Sequence, residues 1–171
     1  MAAITTNVLS ALIGRQILGQ AVSDASYSIY DSVGSIFNYN NNIDNTLRQL
    51  DIKEKVKSVD SLISQIGNCN NVIVELLTGL HEAIILIRED LKQLEFKVNE
   101  HKAKYFSTWR YLNCKNQLDS LILNSAILDK RFDYIIKAVL LIGYSETAYI
   151  KSNINYENKR LGKEVKFIKQ D

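Results

Sequence analysis

"NVIVELLTGLHEAIILIREDLKQLEFKV", Asn71–Val98, decides the fold of this 171-residue chain. Apolar residues fall at Ile73, Leu77, Leu80, Ile84, Ile87, Leu91, Leu94 and Val98, in alternating steps of four and three. That spacing puts one stripe on one side of a helix. Leu76, Ile85 and Leu86 widen the stripe beyond a two-stranded seam, which points to a bundle. The count runs on through His101, Tyr105, Thr108 and Leu112. An unbroken helix over 72–112 would span ~60 Å at 1.5 Å per residue. A break near Ser107, which can cap a new helix, is the alternative.

Downstream, a second seam passes through Leu118, Leu121, Ser125, Leu128, Phe132, Ile135, Val139 and Ile142. Asn116 reads as its N-cap, and Gly143 as the residue that ends it. Upstream, Ile43, Leu47 and Leu50 start a pattern that resumes after a phase slip at Ile52, Val56, Val59, Ile63 and Ile66. The slip implies a kink or stutter. The short segment Gly67–Asn71 turns the chain back, and short connections make antiparallel neighbours. No period-two strand pattern competes. The expected fold is therefore all-α: an antiparallel helical bundle with long heptad-patterned helices and an N-terminal apolar helix.

The divisions read from composition are an apolar, small-residue helical region at 1–37, an Asn-rich linker at 38–42, the bundle at 43–143 and a basic tail at 144–171. Residues 1–43 carry only Arg15, Asp24 and Asp31 as charges. Between Val8 and Val22, apolar residues cover most directions of a helix, which implies burial or lipid contact. Ser10, Gly14, Ala21 and Ala25 allow close approach of another helix. Proline is absent, where ~5% is usual, and this favours long uninterrupted helices. The abundance of Asn, Ile, Lys and Tyr fits AT-rich coding, as in some large DNA viruses and protozoa.

Catalytic signatures do not assemble. His81 sits in "HEAII", which lacks the second histidine of a zinc HExxH motif, and His101 lies ~30 Å further along the same helix. Both read as exposed or boundary histidines. Cys69 and Cys114 are too few for a disulfide framework, and a straight intervening helix would hold them apart. There is no phosphate loop and no GxSxG elbow. Carboxylates lie beside lysines, as on solvated helix faces. No catalytic residue, metal or cofactor is expected, and no small-molecule substrate. A net charge of +2 argues against a dedicated nucleic-acid binder.

One cluster stands out. "KAKYFSTWRYLNCK", 102–115, places Tyr105, Phe106, Trp109, Arg110 and Tyr111 in seven residues. So many aromatics cannot all face one core, and aromatics with arginine dominate interface energy. With Leu9, Leu12, Ile13 and Ile17 on the N-terminal helix, they are the expected partner-binding residues. The expected function is a non-enzymatic helical structural or assembly protein, in concrete form a minor capsid-type protein of a large DNA virus. A protein partner or homo-oligomer is implied. The alternative is a membrane-active helical protein using residues 1–37. Few cysteines, no N-x-S/T sequon and no signal-peptide pattern imply a reducing, intracellular setting, cytoplasm or virion interior.

Overall fold

A computed structural model describes residues 2–66, 71–104 and 112–168, with side chains described for 16–66, 71–104 and 112–142. The described residues form five helices and no strand: α1 (Ala2–Ile36), α2 (Asn41–Leu50), α3 (Ile52–Gln65), α4 (Asn71–Lys102) and α5 (Lys115–Ile168). The chain divides into two compact units, Met1–Ile135 and Ile136–Asp171. The fold is all-α.

The stripe read from the sequence is the core of α4. Ile73, Leu77, Leu80, Ile84, Ile87, Leu91, Leu94, Val98 and His101 are all buried, joined by Ala83 and Asp90. Leu76 and Ile85 are half-buried and Leu86 is exposed, so the stripe is narrower than expected. Leu118, Leu121, Ser125, Leu128 and Ile135 bury the facing side of α5. From α1 come Val22, Ala25, Ile29, Val33 and Ile36. The N-terminal helix thus spends the face from Val22 to Ile36 in the chain's own core.

Polar bridges fix which helices meet and in which direction. Asp90 pairs with Ser120 and Asn124, Lys97 with Gln117, and Arg131 with the Gly79 carbonyl. Later residues of α4 meet earlier residues of α5, so this hairpin is antiparallel. Ser32 donates to Glu95 and Lys102 Nζ to the Ser35 carbonyl, so α1 and α4 run parallel. The Tyr30 hydroxyl approaches the Lys53 carbonyl, and a Cβ on Gly19 would stand 3.5 Å from the Ile63 side chain. Those two contacts make α1 and α3 antiparallel. Lys55 on α3 reaches Ser125 and Asp129 on α5.

The phase slip is a sharp elbow. Asp51 takes a left-handed conformation (φ 48°, ψ 39°); its N–H donates to Leu47 O at 3.2 Å and its carbonyl accepts from Lys55 N–H at 3.1 Å. Leu47 to Ile52 is five residues, which would rotate the stripe by ~140° in a continuous helix. The elbow restores the aim, so Ile43 and Leu47 share a core with Ile52, Val56, Val59 and Ile63. In the Asn-rich turn, Asn40 caps α2 by accepting from Asn42 N–H at 2.8 Å. Asn38 supplies a second left-handed residue (φ 65°), a conformation asparagine tolerates better than most.

Several expected boundaries are corrected. The long central helix ends at Lys102, not 112. Ala103 N–H closes the last α-turn on Asn99 O, and Lys104 N–H tightens onto His101 O. Lys102 occupies that last turn, where positive charge suits the helix dipole. Leu112 lies outside any helix. The next helix begins at Lys115, with Leu118 N–H bonded to Cys114 O, so Asn116 is inside it rather than its cap. Gly143 does not end α5, which runs to Ile168. A helix-interior glycine costs only ~1 kcal/mol, less than the neighbouring helical residues supply. In the second unit the described residues are a single helical stretch, with Leu140 and Leu141 exposed.

Candidate protein-contact surface

The expected aromatic cluster Tyr105, Phe106, Trp109, Arg110 and Tyr111 lies outside the described residues. Leu9, Leu12 and Ile13 lie on α1, but their side chains also fall outside the described set. Ile17 is placed: it is 64% exposed, on the outward side of α1. Of the expected contact residues, Ile17 alone has a described side chain.

It does show exposed apolar side chains that heptad reasoning missed. Tyr27 on α1 and Phe96 on α4 are each 69% exposed, and Leu123 on α5 is 62% exposed. Val72, Leu86, Ile122 and Tyr134 are also exposed. Phe96 sits on a second four-and-three row of α4, opposite the core, with Glu75, Thr78, Glu82, Leu86, Glu89, Gln93 and Glu100, all exposed. The only charges on this row are acidic. Lys104 bonds Glu100 at 2.8 Å and holds its carboxyl below the usual range, while Arg131 comes within 3.4 Å of Glu82. The row was present in the sequence. A polar strip opposite a strong apolar stripe reads as plain solvated surface, so its one phenylalanine carried little signal.

The buried polar groups serve packing. His101 is 8% exposed, not a boundary residue as its type suggested. Its Nδ1 bonds the Tyr39 hydroxyl, and Lys102 Nζ lies 5.0 Å over the Tyr39 ring. His81 is half-buried on the same helix. Cys114 is buried and carries no disulfide; burial pushes its thiol up. Desolvation likewise raises the Tyr39 phenol, and raises Tyr30 together with the nearby charges of Asp60 and Glu54. Among the described residues no group of three or more His, Cys, Asp or Glu could hold a metal ion. Among them, too, no helix is long and apolar enough to cross a membrane.

The chain is similar to an uncharacterised protein of Acanthamoeba polyphaga mimivirus, 28% identical, with 80% of this chain and 78% of the relative covered. That likeness is consistent with a viral origin. No family model matches the chain, and no solved structure matches it.

Proposed function

We propose that this chain is a non-enzymatic assembly protein, a minor structural (capsid-type) component of a large DNA virus that acts through protein–protein contact. The observation that carries the reading is the set of large apolar side chains left in solvent on outward faces of α1, α4 and α5 of a packed bundle: Ile17, Tyr27, Phe96 and Leu123. Aromatic side chains with an otherwise polar surround are the usual anchors of an interface. The likeness to a mimivirus protein supports the setting.

The membrane-active alternative draws less support. From Val22 to Ile36 the apolar face of the N-terminal helix packs against α3 and α4, which leaves only the part before Val22 for lipid. The test is self-association measured by sedimentation velocity over a concentration series, with flotation on anionic liposomes as the second arm. Concentration-dependent oligomers with no flotation support assembly. A monomer that floats with liposomes supports the alternative and removes the assembly reading.

A further inference from the structure

The elbow at Asp51 shapes a cleft of about 260 Å³ lined by Val33, Phe37, Leu47, Arg48, Asp51, Ile52 and Lys53. Val33, Leu47 and Ile52 give it an apolar floor. Its rim is cationic. The Arg48 Cζ lies over the Phe37 ring, 4.8 Å from its centre, and among the described residues neither the guanidinium nor the Lys53 ammonium has an ion-pair partner. The first turn of α3, which opens onto this cleft at Ile52 and Lys53, has no side-chain cap.

A cleft of the same volume between α3 and α5 supplies the contrast. It is lined by Glu54, Lys55, Val59, Leu128, Asp129 and Phe132 among others. There the cation is already satisfied, because Lys55 donates to Asp129 at 2.7 Å and to Ser125 at 3.0 Å. In the Arg48 cleft the guanidinium has no ion-pair partner among the described residues and lies over the Phe37 ring. A planar, weakly hydrated guanidinium fixed in this way gives up little freedom on meeting a carboxylate.

We propose that the elbow cleft is a binding site for a small organic monoanion with an aromatic or aliphatic body. The body covers Val33, Leu47 and Ile52, and the anionic head takes the Arg48 fork with Lys53 beside it. Asp51 at the same rim offsets one of the two cations, which selects a single negative charge over a di-anion. A volume of 260 Å³ exceeds the ~150 Å³ cavity that takes a benzene, so it suits a body of one or two rings. The site is a ligand site, not a catalytic one, and it stands independently of the assembly proposal.

The experiment is a calorimetric or ligand-observed NMR titration of the full chain with 2-naphthoate and with neutral 2-naphthamide. The carboxylate is expected to bind one per chain and about tenfold more tightly than the amide, as a charge-assisted hydrogen bond at a partly open rim implies. Arg48→Gln, a change at an exposed side chain, is expected to erase that preference. Lys55→Gln, in the other cleft, is expected to leave it intact. Circular dichroism melts confirm that each variant folds. No binding, equal binding of the two probes, or a preference that survives Arg48→Gln overturns the proposal.

Discussion

Asp90 on α4 accepts hydrogen bonds from two residues of α5: Asn124 Nδ2 at 2.6 Å and Ser120 Oγ at 2.8 Å. A carboxylate this buried in an apolar seam is tolerable only when its oxygens are bonded. The three residues lock the register of the α4–α5 hairpin. Replacing Asp90 with Ala leaves Ser120 and Asn124 without their acceptor, and the expected loss is about 2–3 kcal/mol. Urea unfolding should show a lower midpoint with an unchanged slope. A loss below half a kcal/mol would mean that the bonds exchange freely with water.

Asp51 occupies left-handed backbone that disfavours a side chain, and its own side chain makes no cap bond. Asp51→Gly should be neutral or stabilise by about 0.5 kcal/mol, because relief at the elbow is partly offset by a freer unfolded chain. Asp51→Val should cost about 1–2 kcal/mol, since a β-branched residue is strained there. Thermal melts of the pair give the comparison. Equal stability of the Gly and Val variants would show that the elbow is not held at positive φ.

Gly34 lies in α1 with nothing within 4 Å of where a Cβ would stand. Gly34→Ala should therefore gain about 0.5–1 kcal/mol of helix propensity without a clash. For a chain of this size that is a rise of roughly 1–4 °C in Tm. A fall in Tm would place an unseen neighbour against this face of α1.

The buried Cys114 thiol gives alkaline sensitivity a definite sign. Burial raises its folded pKa above the ordinary thiol value of about 8.5. The unfolded chain then releases the proton first, so stability is complete below about pH 8.5 and declines as pH climbs toward the raised folded value. Tyr39 and Tyr30, also raised, extend the decline above pH 10 in the same direction. Cys114→Ala should flatten the first part of the fall in a pH series of melts. An unchanged profile would show that the thiol is solvated in the folded state.

The fold was legible wherever one strong period governed a helix. The four-and-three seam from Ile73 to Val98 is buried in α4, while Leu86, expected to widen it, is exposed, and the phase slip after Leu50 became the Asp51 elbow. Boundaries were less legible because glycine and serine mark ends only when tertiary packing lets them. Gly143 was overridden by the helix around it. Helix direction across the bundle was not legible either, since the parallel pairing of α1 with α4 depends on contacts sixty residues apart, such as Ser32 with Glu95. The surface was read least well. Phe96 and Tyr27 each stand alone among polar neighbours, and only three-dimensional exposure sets them apart.

Deleting residues 1–40 is a poor test of assembly, because it also removes Val22, Ala25, Ile29, Val33 and Ile36 from the core. Point changes at exposed positions keep the bundle intact. The most direct measurement is sedimentation velocity of the full chain beside Phe96→Ser and Tyr27→Ser, over a concentration series at constant salt. Assembly through these faces gives a mass that rises with concentration in the full chain and falls toward the monomer in at least one variant. A strict monomer throughout, or oligomers unmoved by both changes, would contradict it.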